Sequence, residues 1–592
     1  MKKTTTKLYI LATLFFVFNI LSSSMNLSPF YPGTAFFYCF AITVYIGIWL
    51  ISQAGKLILG RREDGAMTVD FEKKAPFKKT PIFVVIGVWA VYFAVTIGSS
   101  VIFNVSAFRD QLPDYRTGEF SQEIQIVDTN QIPIVDKDLA VKLADKKLGE
   151  KPSLGSQVVL GTPTIQTVDG KLVWVVPLQH SGFFKWITNM KGTPGYIIVS
   201  ATNTQDVRYV DDYNIKYQAN AYFFDNLFFH TRFTAALFNG TTDYSFELDD
   251  TGKPYWVIST YKYTRGFSLP EATGVIVMDV ETGKSEKYSI ADVPKWVDRV
   301  QPEDFILRQI NNKGEYVHGI FNFSDKDKYR ASEGHIIVYN NGRCYLFTGI
   351  TSVGSDESAI GFVMVDMVTK EPVMYQMSGA TEKAAQGSAQ GKVQQFGYYA
   401  TFPLIINVDG IPTYFMALKD ADGLIKQYAY VSVRDYLVVG VGENVVDARI
   451  NYIKTLKNSG VDSSKPVDDE DVITLSGTVD RIGQQYAGEV SVYRLIIKGQ
   501  PYIFDAESIL SEQLALTKEG DTVEITFHRM DGAKAMQVVK FANKNLEQNL
   551  GVSQPLVEEK TSPEVVPTPS PEIMPTPSPD TMPQSDPPIT KS

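Results

Sequence analysis

Histidines are the side chains best suited to proton transfer or metal binding near neutral pH, and this chain has five. They are scattered through its 592 residues at His180, His230, His318, His335 and His528. No predicted helix places one of them four residues from a second His, Cys or carboxylate, the spacing of a helical metal site. His180 precedes Ser181, but neighbours on a strand point to opposite faces, so the two form no nucleophile–base pair locally. The histidines therefore predict neither a metal site nor a catalytic dyad.

Two other patterns match reactive sites only in part. Asp211-Asp212 offers paired carboxylates. Acid–base work needs one raised pKa in a cleft, so solvated turn residues are the simpler interpretation. Gly440-Val441-Gly442 lies between a predicted strand and a predicted helix, but the third glycine of a dinucleotide fingerprint is absent. The two cysteines are not clustered with other metal ligands. We predict no catalytic residue, no metal and no cofactor, and a protein that is not an enzyme.

An aromatic connection gives the strongest contact signal in the chain. Phe183, Phe184 and Trp186 lie in a long segment between two predicted strands. Exposed aromatic side chains anchor protein partners or the membrane surface. Packing against the same module is the alternative. We predict that these three residues contact a partner.

The elements around this connection come from a repeated pattern. Three fifteen-residue copies start with Gly, continue with an apolar run and end with Tyr: Gly195–Tyr209, Gly274–Tyr288 and Gly361–Tyr375. Upstream of each, a Gly precedes a large apolar residue by four positions: Gly170/Trp174, Gly252/Trp256 and Gly342/Leu346. A fourth set, Gly410/Tyr414 before a strand from Gln427, keeps the spacing without the starting Gly. Apolar runs around turn glycines predict β-hairpins, and the copies predict a row of four α+β modules.

The first copy resembles the PepSY module. A short amphipathic helix at 137–149 precedes a hairpin and the strand from Gly195, and residues 136–210 cover this order. The run Gly-Val-Ile-Val-Met-Asp-Val-Glu-Thr-Gly-Lys at 274–284 is similar to the last strand of that family. The resemblance implies a bacterial envelope location and protein contact or inhibition, and it implies no substrate.

The copies set the predicted module boundaries. We predict module 1 at 136–218, module 2 at 219–300, module 3 at 301–378 and module 4 at 379–466. Helices are expected in or between the copies at 219–238, 302–312, 380–395 and 444–456. A single helix and hairpin bury little core alone, so each module should stack on its neighbours.

Three uncharged apolar stretches precede the modules, at 8–24, 34–53 and 82–103. The last two have the length of a bilayer span. The first is shorter, and a signal peptide is its alternative. Lys and Arg are concentrated before the first stretch and in the loop 54–81, and the intervening loop has no charge. This bias predicts a three-helix membrane anchor at 1–103 with a cytoplasmic N-terminus and basic loop, and an extracytoplasmic region after residue 103.

Charge also limits the partners of the extracytoplasmic region. Residues 1–103 hold ten Lys and Arg against four Asp and Glu, which leaves 46 basic and 62 acidic residues in the rest of the chain. Nucleic acid needs a basic face, so this region is not expected to bind it. An extended connector is expected at 104–135.

Residues 467–545 predict a small separate barrel. Strands with Gly-rich turns are expected at 472–481, 490–497, 502–505, 522–528 and 535–540, and their pattern resembles an OB fold. Thirteen acidic residues against eight basic ones across 468–545 argue against nucleic-acid binding here as well. The tail 546–592 has eleven prolines from Pro555 onward and is expected to be disordered.

These features predict an α+β, multi-pass protein of the bacterial cell membrane. It is expected to bind and to hold or restrain another envelope protein, such as a wall hydrolase or peptidase, because it combines tandem contact modules with an aromatic connection. Two alternatives stay open. One is a structural, self-associating component of an envelope assembly for secretion, conjugation or wall synthesis, and the other is a sensor of a small ligand.

Overall fold

The computed structural model describes most of the chain. The described ranges are 2–53, 57–61, 67–71, 79–124, 132–340, 342–353, 358–459, 472–487, 490–528 and 535–549. The chain divides into two units, residues 1–469 and 470–592. Much of the predicted basic loop 54–81 and the tail from residue 550 onward lie outside the described residues.

Three apolar helices begin the first unit: α1 (Lys2–Ser22), α2 (Pro32–Gln53) and α3 (Thr80–Gly98). Each contains a stretch long and apolar enough to cross a membrane. No residue of α3 is buried within the protein, as expected of a helix surrounded by lipid. The three predicted spans are therefore confirmed as helices, although the third ends at Gly98 and not at 103. A two-stranded hairpin, β1 (Leu57–Arg61) with β2 (Met67–Phe71), lies between α2 and α3.

The connector predicted as extended at 104–135 is structured over its described part. It contains α4 (Val101–Arg109), β3 (Arg116–Thr117) and α5 (Phe120–Glu123), whereas 125–131 lie outside the described residues. Two apolar side chains explain the difference, because Leu112 is fully buried and Phe120 is 7% exposed. The connector is a strap packed on the modules.

Four modules, each with a helix and an antiparallel sheet, follow in chain order within the first unit. Module 1 contains α6 (Lys137–Gly149), α7 (Pro152–Gly155), β4 (Val158–Leu160), β5 (Thr164–Val168), β6 (Lys171–His180), α8 (Phe183–Thr188), β7 (Thr193–Ser200) and β8 (Val207–Ile215). Module 2 contains α9 (Leu227–Thr234), β9 (Gly240–Leu248), β10 (Pro254–Arg265), β11 (Ser268–Asp279) and β12 (Ser285–Ser289). In module 1, β6, β7 and β8 are adjacent in that order, with β4 and β5 both on the free edge of β6, and module 2 runs β9-β10-β11-β12.

Modules 3 and 4 repeat this plan. Module 3 contains α10 (Glu303–Glu315), β13 (Tyr329–Ala331), β14 (Ile336–Asn340), β15 (Arg343–Ser352), β16 (Ser358–Asp366) and β17 (Pro372–Ala380). Module 4 contains α11 (Glu382–Lys392), β18 (Tyr399–Ala400), β19 (Leu404–Val408), β20 (Ile411–Lys419), β21 (Ile425–Ser432), β22 (Val439–Gly442) and α12 (Val445–Asn458). The strap strand β3 adds to the edge of module 3 by pairing in parallel with β17.

The repeated glycines have two structural roles. Gly170, Gly342 and Gly410 take left-handed conformations in two-residue hairpin turns. Gly195 and Gly274, which start two copies, lie where neighbouring backbones nearly touch. A Cβ atom would fall 1.7 Å from the Val210 carbonyl oxygen at the first and 2.0 Å from that of Tyr288 at the second. Only glycine allows such a close approach.

In three copies, the large residue four positions after the glycine donates a hydrogen bond to a backbone carbonyl outside its own hairpin. Trp174 donates its indole N–H to the Val135 carbonyl, and Trp256 donates to the Tyr217 carbonyl, both at 2.7 Å. The Tyr414 hydroxyl in module 4 donates to the Ala380 carbonyl at 2.9 Å. Leu346, the corresponding residue of module 3, has no hydrogen-bond donor in its side chain. The hydrogen bond therefore occurs in three of the four copies.

The sheets bury both of their faces. Those of modules 1 and 2 share one apolar core, and those of modules 3 and 4 share a second. Residues alternate along the strands, so Val173 and Val175 face module 2 and Val176 and Leu178 face α6. On the outer faces, α10 covers the sheet of module 3 and α12 covers that of module 4.

The modules do not form the open row predicted from the sequence, because module 4 returns to module 1. Lys419, which is 1% exposed, forms an ion pair with Asp136, the residue that caps α6. Lys142 of α6 binds the backbone carbonyl of Asp422, and Ile425 packs on the core of module 1. Burial of a charged Lys requires such a partner, so this contact is specific.

The described residues of the second unit form the strands β23 (Val472–Ala487), β24 (Val490–Ile497), β25 (Ile503–Glu507), β26 (Thr522–His528) and β27 (Ala535–Asn543) and the short helix α13 (Lys544–Asn549). The strand order is β23-β24-β25-β27-β26, and the long first strand pairs with both β24 and β26. Strands β25 and β27 pair in parallel. Leu495, Phe504 and Ile525 lie fully buried in the core of this unit.

Candidate functional site

The aromatic connection singled out in the sequence forms α8, in the segment between β6 and β7 of module 1. Trp186 is 5% exposed, and its indole N–H donates to Asp225 Oδ2 at 3.2 Å. Its ring contacts Phe183, Tyr222 and Phe223 at centroid distances of 5.5 to 5.8 Å. Trp186 therefore faces inward, because its polar N–H has a buried acceptor. A direct partner contact stays a prediction for Phe183 and Phe184 only.

Exposed apolar side chains surround this buried tryptophan. We call five of them the aromatic platform: Phe184, Ile187, Met190, Phe223 and Phe224. Phe184 is 80% exposed and Phe224 is 75% exposed, unusually high values for rings of this size. Trp186, a residue of α8, packs on the 3-10 turn Phe223–Asp225. It thereby joins the platform residues of α8 to those of the turn.

The backbone at one platform residue is strained. Phe223 has a φ of +54°, in the left-handed region that bulky residues avoid. Asp225, two residues later, accepts from Trp186 and lies 3.6 Å from the Lys216 ammonium. These buried partners hold the turn, and the Phe223 ring stays 67% exposed. Such strain is typical of positions kept for contact and not for stability.

A small pocket opens beside the platform. Its volume is about 260 Å³, and its lining includes Ser153, Gln157, His180, Lys185, Asn189 and Thr193. His180 is 2% exposed, and its Nε2 atom has no hydrogen-bond partner in the structure. Burial lowers the pKa of His180, and the Asp225 carboxylate opposes the shift. The pocket therefore presents a neutral imidazole at its wall and a lysine, with amide and hydroxyl groups, around it.

The other candidate groups do not assemble into a reactive site within the described residues. The ring Nε2 of His230 lies 3.0 Å from the Gly283 carbonyl, while those of His318 and His335 each lie 2.8 Å from a carboxylate oxygen. The side chain of His528 lies outside the described residues. Asp211 and Asp212 are both exposed. No cluster of three potential metal ligands occurs in the part of the chain that the structure describes.

The Gly440-Val441-Gly442 run serves packing. A Cβ atom on the first glycine would fall 2.0 Å from the backbone nitrogen of Tyr452, and one on the second 2.3 Å from that of Ala448. Strand β22 thus lies directly against helix α12, which explains the two glycines.

Sequence reasoning missed a group of buried and half-buried ionisable side chains between modules 1, 2 and 3. We call it the polar joint: Glu247, Asp298, Arg299, Glu303 and Tyr339. The Tyr339 hydroxyl lies 2.9 Å from the Ile165 carbonyl and 3.0 Å from Asp298 Oδ2. Arg299 donates to Glu303 Oε1 at 3.2 Å. Asp298, Arg299 and Glu303 lie close together in sequence, but Glu247 and Tyr339 come from distant strands, so no spacing marks the whole group.

Burial controls the charge of the joint. It raises the pKa of Glu247 to about 8, with the neighbouring Asp298 carboxylate acting in the same direction. Burial also raises the pKa of Asp298. Glu247 is consequently protonated at neutral pH. The Ser245 hydroxyl and the Arg299 guanidinium oppose the shift at Glu247, so the charge of this carboxyl is coupled to its neighbours in the joint.

Comparison with known proteins gives little guidance. No family model and no curated protein matches the chain. A levansucrase variant of B. megaterium aligns over 71% of this chain and 98% of its own, at 10% identity and a TM-score of 0.19. A levansucrase variant of B. subtilis gives the same values. At that TM-score the likeness carries no argument about fold or activity.

Proposed function

We propose that this protein is a membrane-anchored binding protein of the bacterial envelope. It holds or restrains another envelope protein, such as a wall hydrolase or peptidase, through the aromatic platform of module 1. The observation that carries the proposal is the exposure of Phe184, Phe223 and Phe224 around the rigidly held Trp186. Burying one such ring contributes about 1.5–3 kcal/mol, and clustered aromatic anchors dominate protein interfaces. In this proposal the protein binds its partner and does not itself catalyse a reaction.

The orientation belongs to the same proposal. The Lys and Arg residues before α1 and between α2 and α3 favour a cytoplasmic N-terminus, with everything after residue 103 outside. Three spans put the loop between α1 and α2 on the side of the modules. Contacts between that loop and module 2 support this arrangement, since the Leu27 N–H donates to the Leu237 carbonyl at 2.9 Å.

The finer fold assignments are also proposed. A helix followed by an antiparallel sheet, four times over, supports PepSY-like modules. In the second unit, the order first-second-third-fifth-fourth with a parallel third–fifth pair supports an OB-like barrel. Neither assignment identifies the partner, which has to be found by experiment.

A charge at the centre of the platform tests the binding role. We compare the parent with Phe184→Asp in native membranes, using crosslinking, affinity purification and mass spectrometry. Phe396→Asp is the matched control, because Phe396 is 54% exposed and lies on module 4. The parent and the control should retain a hydrolase or peptidase that Phe184→Asp loses.

Two results would count against this role. Identical partners for all three proteins would show that the platform does not bind. Hydrolysis of peptides or wall material by the purified protein alone would show that it is an enzyme. Recovery of mainly the chain itself with several membrane proteins would favour the assembly alternative.

The pocket beside the platform favours one second candidate, a sensor of a small polar ligand. The unpaired Nε2 of His180 and the side chain of Lys185 offer hydrogen bonds and a positive charge to an anionic group. Binding of such a ligand is tested by thermal unfolding of the protein in the presence of small carboxylates or phosphate. The melting temperature should rise in the parent and not in Lys185→Ala, and an unchanged melting temperature in both would remove the candidate.

A further inference from the structure

One hairpin is longer than its counterparts in the other modules. Strands β10 and β11 of module 2 have 12 residues each. The equivalent pairs have 10 and 8 residues in module 1, 10 and 9 in module 3, and 9 and 8 in module 4. We call the added end, residues 261–270, the hairpin tip. Residues 261–270 belong to neither apolar core of the module 2 sheet, although Leu269 is buried.

The hairpin tip lies against a membrane helix. The Phe267 ring is 5.5 Å from the ring of Tyr92 in α3. A Cβ atom on Gly266 would lie 2.9 Å from the side chain of Ser99 and 3.2 Å from that of Val95. Tyr92 precedes the helix end at Gly98 by six residues, which is about 9 Å along the axis. Since α3 is a membrane span over Thr80–Gly98, a residue beside Tyr92 lies below the level of the helix end.

A second set of contacts fixes the same edge of module 2 to the loop between α1 and α2. The Tyr31 hydroxyl donates to the Tyr261 carbonyl and accepts from the Gly240 N–H, both at 2.6 Å. Arg232, which is 8% exposed, donates to the Ser24 carbonyl at 2.9 Å. Module 2 is therefore held at two points of the membrane anchor, and the tip has little freedom to leave α3.

The side chains of this edge suit a bilayer surface. Phe238, next to the loop contact at Leu237, is 61% exposed. Lys262 and Arg265 of the tip are exposed as well. Long cationic side chains reach from an apolar layer to lipid phosphates, while aromatic rings occupy the boundary between acyl chains and headgroups. Leu269 has a φ of +59°, so the tip also stores backbone strain.

We propose that the hairpin tip and Phe238 insert into the leaflet on the module side of the membrane. Phe267 reaches the acyl chains beside α3, Phe238 lies at the headgroup boundary, and Lys262 and Arg265 bind lipid phosphates. The occupant of this surface is the lipid bilayer itself, because the apolar groups adjoin the spans. The inference does not depend on the partner proposed for the platform.

Spin labels on the full-length protein in nanodiscs of phosphatidylcholine and phosphatidylglycerol test the insertion. The background is Cys39→Ala with Cys344→Ala, and the labelled variants are Phe267→Cys and Phe238→Cys. Phe184→Cys and Phe396→Cys are matched controls in modules 1 and 4. Collisions with oxygen report the lipid phase, and collisions with a water-soluble nickel chelate report the aqueous phase.

Insertion predicts that the label at 267 collides mainly with oxygen and that at 238 with both reagents, while both controls collide mainly with nickel. Nickel accessibility at 267 equal to that at 184 and 396 would overturn the proposal. If Phe267→Cys does not fold, Ser268→Cys supplies the same reading. A label at 267 shielded from both reagents would show burial against protein and would also overturn it.

Discussion

The protonation of Glu247 gives the polar joint a pH dependence that can be measured. Glu247 is 1% exposed, accepts from the Ser245 hydroxyl at 2.6 Å and lies near Asp298. Its carboxyl has an ordinary pKa of 4.5 when the chain is unfolded and a pKa of about 8 in the fold. Between these pH values the folded protein keeps a proton that the unfolded chain has released. Stability must therefore fall as pH rises through this range.

The size of the effect follows from the difference of about 3.5 pKa units. At about 1.36 kcal/mol per unit, the full loss is about 5 kcal/mol, of which roughly 3–4 kcal/mol falls between pH 5 and pH 8. Glu247→Gln keeps the shape and one acceptor oxygen but does not titrate. The stability of the variant should consequently rise relative to the parent by about that amount over the same range.

The assay is urea denaturation of the full-length protein in detergent, followed by circular dichroism from pH 5 to pH 8. Glu286→Gln is the matched control. Hydrogen bonds from Tyr288 and Lys284 lower the pKa of the exposed Glu286, so it is ionised throughout and its variant should follow the parent. Parallel stability curves for the parent and Glu247→Gln would refute the reasoning, because they would show that Glu247 is already charged in the fold.

Three further predictions address the repeat and its attachment to the membrane. Gly195→Ala should lower the free energy of unfolding by more than about 4 kcal/mol, and Gly170→Ala should lower it by about 1–2 kcal/mol. Both glycines have a left-handed φ, but only a Cβ atom at position 195 would clash, 1.7 Å from the Val210 oxygen. Equal melting temperatures of the two variants would contradict this. Trp256→Phe should lower the free energy of unfolding by about 1–3 kcal/mol, because it leaves the Tyr217 carbonyl without its hydrogen bond. Denaturation measures this loss, with Trp296→Phe as the control, since the Trp296 ring stacks on Tyr255. Arg232→Lys removes the fork that reaches the Ser24 and Asn239 carbonyls, so hydrogen exchange at the Leu27 amide should become faster. Unchanged exchange at Leu27, with Arg208→Lys as the control, would show that Arg232 does not hold the loop.

Local signals predicted the local structure well. The apolar stretches became α1, α2 and α3, and the turn glycines at 170, 342 and 410 mark hairpins because each needs a left-handed backbone. Helices expected at 302–312 and 444–456 occur as α10 and α12. The helix expected at 219–238 is reduced to Leu227–Thr234, because Asn226 caps it and the residues before it form a 3-10 turn.

Long-range contacts could not be predicted in the same way. The connector at 104–135 was predicted to be extended because Leu112 and Phe120 are isolated apolar residues whose burial depends on modules far along the chain. The return of module 4 to module 1 includes the pair Lys419 and Asp136, separated by 283 residues. Trp186 faces inward because Asp225, 39 residues away, accepts its N–H. None of these partners leaves a periodic signal.

The repeated strands build the same fold in each module, whereas the connections between them differ from module to module. The described connections between the paired long strands, β6–β7, β10–β11 and β20–β21, differ from one another. In module 1 the connection carries α8 and half of the aromatic platform. In module 2 it is the hairpin tip on α3, and in module 4 residues 420–424 contact α6. Because the sheets bury both faces, the loops at the ends of the strands tolerate change better than the strands themselves. One repeated position of the scaffold thus carries a short helix in module 1, a contact with α3 in module 2 and a contact with α6 in module 4.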